Sequence, residues 1–103
     1  RKVFMDINIT DSADSTIVVV KGDIEMMTIK DFKDKLLNLG QNSEKDIEID
    51  LSGVDYIDSS GVGVLISLLK LQKKKGRVLK MSNVSEKVLD VLKLSSLADV
   101  FNL

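Results

Sequence analysis

The chain has 103 residues, of which 44% are hydrophobic and 30% charged, and its formal net charge at pH 7 is −1. These values predict one small globular domain over residues 1–103 and give no indication of direct binding to nucleic acid. The absence of cysteine and histidine excludes a disulfide framework and a Ser-His-Asp triad and argues against a transition-metal site. We therefore expect neither a metal ion nor a cofactor.

The first half of the chain predicts a hairpin followed by a helix. Residues 3–9 alternate apolar and polar side chains, as a half-buried strand does, and the turn-forming cluster 11–15 separates them from the β-branched run 16–21. This short connection favours an antiparallel pair of strands. Apolar residues near helical spacing then predict a helix over residues 28–39, with Gly40 as its C-terminal stop.

The next two elements are a strand and a long helix. Residues 46–51 alternate strictly, unlike a parallel strand that helices cover on both faces, so we expect one face of this strand to be open to water or to a partner. A strongly apolar pattern predicts a helix over residues 60–75, which ends in a run of lysines that suits the negative end of the helix dipole. Its longest apolar stretch, residues 62–69, is too short to cross a bilayer, so we expect no membrane partner.

The last third of the chain predicts a strand, a helix and a final short strand. The strand covers residues 77–82, and Ser85 can cap a helix that runs to about Leu94. Residues 100–103 could form the final strand. The order β-β-α-β-α-β-α-(β) predicts an α/β fold with a mixed sheet and right-handed crossovers.

The junction between strand 46–51 and the long helix is the most informative segment. It contains Asp58-Ser59-Ser60-Gly61, and hydroxyl groups at a helix N-terminus can be presented to a partner or carry an added anion. From local chemistry alone, a plain N-cap and turn is more common than a phosphorylation site, although one serine can cap while the other is modified. Gly61 and Gly63 lack the spacing of nucleotide-binding loops, so we expect both to allow close backbone approach.

Two apolar groups permit two interpretations each. Val64, Leu68 and Leu71 form a second stripe on the long helix, which is core or a docking face with about equal weight. Met26 and Met27 are either an adaptable contact surface or a buried part of a loop.

Residues 50–65, with the sequence DLSGVDYIDSSGVGVL, resemble the signature of STAS domains, most closely that of the bacterial anti-anti-sigma factors. Residues 22–25, residues 92–97 and Val100-Phe101 resemble flanking motifs of the same family, so the resemblance covers nearly the whole chain in order. It implies a STAS-like mixed β-sheet with helices packed mainly on one face.

The resemblance also implies a function, that of a non-enzymatic protein switch in the bacterial cytoplasm. In that family the serine directly after the motif aspartate is phosphorylated by a partner that is both an anti-sigma factor and a serine kinase, and here that serine is Ser59. The unphosphorylated form binds this kinase and thereby releases a sigma factor. A serine phosphatase resets the cycle.

The implied partner-binding surface combines the loop after the second strand with the serine turn. Both loops leave strands that point the same way in the proposed sheet, so we expect them to meet. The family often has glutamate before aspartate in the first loop, whereas here the order is reversed. The surface comprises Gly22, Asp23, Glu25, Asp58, Ser59, Ser60, Gly61 and Val62.

Two other functions stay open on the sequence alone. The first keeps the fold but makes the chain a STAS module of a transporter or a stressosome-like scaffold, which acts by constitutive binding. The second is a serine hydrolase that uses Ser59 or Ser60, which the missing histidine disfavours. Spacing alone leaves a Ser-Lys arrangement open, but nothing in the sequence favours one.

Overall fold

The computed structural model describes residues 4–94 and 100–101, and within these ranges the chain forms four strands and three helices. The observed order β-β-α-β-α-β-α confirms the predicted α/β class. The elements are β1 (Asp6–Asp11), β2 (Ser15–Lys21), α1 (Ile29–Asn42), β3 (Asp46–Gly53), α2 (Ser59–Lys74), β4 (Leu79–Ser82) and α3 (Glu86–Leu94).

The four strands form one mixed sheet in the order β1-β2-β3-β4. As predicted, β1 and β2 form an antiparallel hairpin, and the Thr16 hydroxyl donates to Asp11 across it at 2.8 Å. β2 pairs with β3, and β3 with β4, in parallel, so the connections through α1 and α2 are crossovers. The carboxyl ends of β2 and β3 therefore lie side by side at one end of the sheet.

In the described part of the chain, the helices cover one face of the sheet. Its buried side chains alternate along the strands and share a hydrophobic core with residues of α1, α2 and α3. The opposite face carries exposed or half-buried side chains such as Asn8, Glu48 and Lys80. This arrangement confirms the expectation that the alternating strand, now β3, has one open face. The buried strand residues are Val18, Val20, Ile47, Ile49, Leu51, Leu79 and Met81.

Gly40 does not end α1, so that prediction was wrong. The helix continues to Asn42, and Gly40 is buried where α1 crosses α2. A Cβ at this position would lie 2.6 Å from Leu68 Cδ1 and 2.9 Å from Leu71 Cδ1. The glycine therefore allows the two helices to approach closely. Val64 and Leu68 are buried and Leu71 is half-buried, which confirms that this stripe of α2 is core.

The predicted final strand is not observed where the structure describes it. Val100 and Phe101 lie in a turn, while residues 102 and 103 fall outside the described ranges. The Phe101 side chain is buried in the core, which explains the apolar pattern without a strand. Ser85 does cap α3, because its hydroxyl oxygen accepts a hydrogen bond from Val88 N at 3.3 Å.

Candidate functional site

Two loops meet at the carboxyl ends of β2 and β3. Ile24 and Ile57 form an isolated parallel bridge, and both side chains are buried. Ile24 N donates to Tyr56 O at 2.9 Å, and Asp58 N donates to Ile24 O at 3.0 Å. The segments 22–28 and 54–58 are therefore held together by backbone hydrogen bonds, and the two halves of the expected surface are adjacent.

Glycines allow close packing at two positions of the site, at Gly22 against the segment before β1 and at Gly61 between the two loops. Gly22 has a φ of +109°, and a Cβ there would collide with the carbonyl oxygen of Phe4. At Gly61 a Cβ would lie 2.5 Å from Ile24 Cγ2 and 2.7 Å from Ile57 Cγ1, so any side chain would push the loops apart. Gly63 was expected to serve the same purpose, and that expectation was wrong. A Cβ at Gly63 would have no neighbour within 4 Å, because this position faces open space.

The Asp58 carboxylate joins the two loops to the start of α2. Its Oδ1 accepts from Ser60 N at 2.9 Å and from Gly61 N at 3.2 Å, which is the geometry of an N-cap. Its Oδ2 accepts from Met26 N, 3.1 Å away in the other loop. The sequence predicted a cap in this turn, with a serine as one possible cap residue. The cap residue is the aspartate.

The same hydrogen bonds set the acidity of Asp58. Partial desolvation is the largest single influence and raises the pKa of its carboxyl group. The hydrogen bonds from Ser60, Gly61 and Met26 together outweigh desolvation, so the pKa lies below its ordinary value of 3.8. Asp58 is therefore ionised near neutral pH, and its charge is directed towards donors of the chain itself.

The two serines of the turn differ in exposure and in bonding. Ser60 is half-buried, and its hydroxyl donates to Asp58 Oδ1. Ser59 is exposed as the first residue of α2, and within the described ranges its hydroxyl makes no hydrogen bond. Of the two serine hydroxyls in this turn, only that of Ser59 is therefore exposed and without a hydrogen bond to the described residues.

Thr28 fixes the shape of the first loop, a role that the sequence analysis did not identify. Its hydroxyl donates to Asp23 O at 2.7 Å and accepts from Glu25 N at 3.1 Å, and the side chain is buried. A threonine directly before a helix is a recognisable signal, although here its hydroxyl bonds its own loop instead of capping α1. Asp23 and Glu25 are half-buried in this loop.

The remaining expected site residues lie beneath the surface or at its edge. Gly61 is buried and Val62 is only 7% exposed, so both support the turn from below. Met26 and Met27 are 79% and 75% exposed, which excludes the interpretation that their loop buries them. Tyr56 in the second loop is about half exposed.

Residues 4–94 and 100–101 contain no cluster of three acidic side chains placed to hold a metal ion. Across these same ranges, none of the helices has the length and apolar character needed to span a membrane.

Comparison with known families identifies the class of protein. The family model described as Mlab, STAS domain, matches residues 7–103, and this chain belongs to the STAS domain family. Among curated proteins, the chain is similar to the anti-sigma-B factor antagonist of Bacillus subtilis, with 27% identity over 99 residues. That alignment covers 96% of this chain and 90% of the relative.

Solved structures share the fold at lower sequence identity. An anti-sigma factor antagonist from Mycobacterium paratuberculosis superposes with a TM-score of 0.82 at 20% identity, covering 95% of this chain and 83% of that chain. The Bacillus cell fate determinant SpoIIAA in its phosphorylated form superposes with a TM-score of 0.72 at 14% identity, covering 91% of this chain and 86% of that chain. These likenesses confirm the STAS fold.

Proposed function

We propose that this chain is an anti-sigma factor antagonist that phosphorylation of Ser59 switches off. In its unphosphorylated form it binds an anti-sigma factor that is also a serine kinase, and a sigma factor is thereby released. A serine phosphatase restores the unphosphorylated form. The curated relative named as an anti-sigma-B factor antagonist supports the class of function.

One observation carries the choice of acceptor, which is the difference between the two neighbouring serines. The Ser59 hydroxyl is exposed and makes no hydrogen bond within the described residues, whereas the Ser60 hydroxyl donates to Asp58. Transfer to Ser60 would first have to break that bond and draw a half-buried side chain outward. Ser59 can enter a kinase cleft without any rearrangement of the turn.

Within the described residues, no hydrogen bond activates the Ser59 hydroxyl. The carboxylate of the adjacent residue, Asp58, already accepts from Met26 through one oxygen and from the start of α2 through the other. The base that receives the proton of the Ser59 hydroxyl, and the ATP that supplies the phosphoryl group, therefore belong to the partner. This division of roles supports a switch protein that is not itself an enzyme.

The proposed surface includes the first loop as well as the serine turn. Gly22, Asp23 and Glu25 flank the turn because Ile24 is hydrogen-bonded to both Tyr56 and Asp58. A kinase that reaches the Ser59 hydroxyl would therefore contact this loop too. Asp23 and Glu25, both half-buried residues, would lie at the rim of that contact.

A phosphorylation assay tests the proposal. Wild-type protein, Ser59→Ala and Ser60→Ala are each incubated with MgATP and the purified anti-sigma serine kinases encoded in the same genome, and phosphate is located by mass spectrometry. We expect one phosphate on the wild type and on Ser60→Ala, and none on Ser59→Ala, because only the free hydroxyl reacts. Circular dichroism verifies that both variants are folded.

Phosphate on Ser60 alone would contradict the assignment of the acceptor. Binding measured in the same samples addresses the alternative that the chain is a constitutively binding STAS module of a transporter or scaffold. The proposed switch requires that the phosphorylated form loses affinity for the kinase. Equal affinity of both forms would favour the constitutive module.

A further inference from the structure

Exposed apolar residues lie in the two loops that meet beside the Ser59 turn. Met26 and Met27 are 79% and 75% exposed and Tyr56 is 49% exposed, although large apolar side chains are usually buried. These three residues are among eight large hydrophobic residues exposed in the described ranges, and all three lie in the two loops of the site. We call these three residues the methionine surface.

Hydrogen bonds hold this surface next to Ser59. Met26 N donates to Asp58 Oδ2 at 3.1 Å, and Asp58 directly precedes Ser59. The backbone of Tyr56 is fixed in turn by its bond from Ile24 N. The backbone of Met26 is therefore held against the residue that precedes Ser59, which brings this part of the loop close to the serine turn.

Gly63 extends the surface by one helical turn. Residues four apart lie on the same face of a helix, so Gly63 is next to Ser59 on the outside of α2. Glycine inside a helix is destabilising relative to alanine, and a Cβ here would have no neighbour within 4 Å. Nothing in the described part of the chain requires a glycine at this position. A bare helix turn does allow the backbone of another protein to approach closely.

We propose that the methionine surface and the bare helix turn at Gly63 form the main docking surface for the anti-sigma factor, which presents a complementary apolar patch to them. This inference rests on the proposed function and adds which residues provide affinity and the chemistry of the partner. Methionine side chains suit the role because they are flexible and adapt to an irregular apolar surface. Bare backbone at Gly63 lets the partner pack directly against α2.

The surface also explains how a phosphate could release the partner without unfolding the chain. The carboxylate of Asp58, which directly precedes Ser59, is directed towards four donors of the chain, namely Met26 N, Ser60 N, the Ser60 hydroxyl and Gly61 N. A phosphate on Ser59 would add a charge of roughly −1.5 to −2 beside this apolar contact. Burying that charge against an apolar patch is unfavourable because the phosphate loses its water.

The experiment measures binding and thermal stability in parallel. The anti-sigma factors encoded in the same genome are purified, and the one that binds unphosphorylated wild-type protein is the probe in calorimetric titrations. The variants are Gly63→Ala and the double variant Met26→Ser, Met27→Ser. The matched controls are Ser67→Ala, which changes an exposed residue one turn further along α2, and Ile9→Thr, which changes an exposed apolar residue on β1.

We expect Gly63→Ala to raise Tm by about 2–8 °C and to weaken binding by about tenfold, because the methyl group stabilises the helix and blocks the partner. The double methionine variant should weaken binding by at least about tenfold with little change in Tm. Both controls should bind like the wild type. Wild-type affinity in Gly63→Ala and in the double variant would overturn the inference while the proposed function stands. If none of the purified anti-sigma factors binds the wild type, the proposed function fails, and this inference fails with it.

Discussion

The two ends of the β-sheet use polar side chains in opposite ways. At the end where β3 and β4 begin, long side chains reach across the fold and bond to backbone groups of other elements. At the end where β2 and β3 finish, backbone groups and one carboxylate hold the loops together, while Ser59, Met26 and Met27 are exposed. The first end stabilises the fold, and the second presents a surface.

Gln72 and Lys75 show how the stabilising end is built. The Gln72 side chain is completely buried, and its amide donates to Lys45 O at 3.1 Å and to Val78 O at 3.0 Å. It thereby joins α2 to the residues that precede β3 and β4. The Lys75 ammonium group donates to the carbonyl oxygens of Gly40 and Ser43, which stabilises the C-terminal end of α1.

At the Ser59 end, one short carboxylate makes the contacts between the two loops and the start of α2. Asp58 alone has the role that Gln72 and Lys75 share at the other end, because it accepts hydrogen bonds from both Met26 in the first loop and Gly61 in the helix. The two methionines and Ser59 are exposed, as the proposed binding surface requires. Substitutions at the first end should therefore change the free energy of unfolding, and substitutions at the second should change mainly binding.

The largest effect on stability is expected at Gln72. Gln72→Ala leaves the carbonyl groups of Lys45 and Val78 without their donor and opens a cavity, so we expect the free energy of unfolding to fall by about 2–4 kcal/mol. Gln72→Met keeps most of the volume and removes the Gln72 Oε1 atom, which is buried without a hydrogen bond in the described structure. Its cost should be smaller, about 1–2 kcal/mol. Urea denaturation measures both values.

The exposed neighbour Lys73 supplies the control for that experiment. Lys73→Ala should change the free energy of unfolding by less than about 0.5 kcal/mol. Below the unfolding transition, all three variants should keep the wild-type rate of Ser59 phosphorylation, because the far end of the sheet is unchanged. A loss of phosphorylation in folded Gln72→Met would break the proposed separation of the two ends.

The same contrast decides what could be predicted from the sequence. The hairpin, the strand with one open face and the serine turn were predicted because their signals are local, in alternation and in turn residues. The stabilising roles of Gln72 and Gly40 were not predicted, because each depends on a partner far along the chain: Lys45 lies 27 residues before Gln72, and Gly40 packs against Leu68 and Leu71 of another helix. Nothing in the spacing around a glutamine or a glycine indicates such a distant contact, and Gly40 was assigned the wrong role for this reason.

The candidate site was predictable to a similar extent. The family signature placed Ser59 and Asp58, and the parallel direction of β2 and β3 placed the first loop beside them. The exposure of Met26 and Met27 could not be decided, because methionine suits both a core and a surface contact. Likewise, only the surroundings of Gly63 show that it faces open space and Gly61 does not.

An intermediate effect on stability is expected at Asp58, which lies at the Ser59 end of the sheet but also stabilises the fold as the N-cap of α2. Asp58→Ala removes the N-cap of α2 and should lower the free energy of unfolding by about 1–2 kcal/mol. It should also release Met26 N, so hydrogen exchange of this amide should accelerate. Asp58→Asn keeps an amide oxygen that can cap the helix, but its NH2 group cannot accept from Met26 N, so it should cost about 0.5–1 kcal/mol and should also accelerate exchange of that amide.

The Asp58 variants also make a prediction about pH. Because the pKa of the folded carboxyl group lies below its ordinary value of 3.8, the folded state favours the ionised form. The resulting stability is complete above that ordinary value and is lost as pH falls through the lower pKa of the folded state. Asp58→Asn should therefore lose less stability than wild-type protein when the pH is lowered from 5 to about 2.5. Asp50, whose pKa is lowered mainly by its hydrogen bond from Ser52 N, still titrates in both proteins.

Parallel acid-denaturation curves for wild-type protein and Asp58→Asn would contradict this account of the cap. Asp50→Asn is the matched control, since it removes a carboxylate with a lowered pKa that lies on the open face of the sheet. It should change acid stability without changing the exchange of Met26 N. That difference would assign the loop contact to Asp58 specifically.

The smallest effect on stability is expected from the phosphate itself. A phosphate on Ser59 lies at the positive end of the α2 dipole, which stabilises it by roughly 0.3–1 kcal/mol when exposed, while the adjacent Asp58 carboxylate opposes it. These contributions nearly cancel, so phosphorylation should change the free energy of unfolding by less than about 1 kcal/mol. Amide NMR shifts should then be confined to the two loops and the first turn of α2. Ser59→Asp, an imperfect mimic, should produce a weaker version of the same pattern.

The backbone amides of Val78 and Lys45 provide the internal control, because they are held at the opposite end of the sheet by Asp46 and Ser43. Large shifts at those amides would mean that the phosphate rearranges the whole sheet. The switch would then be conformational and would not act at the surface alone.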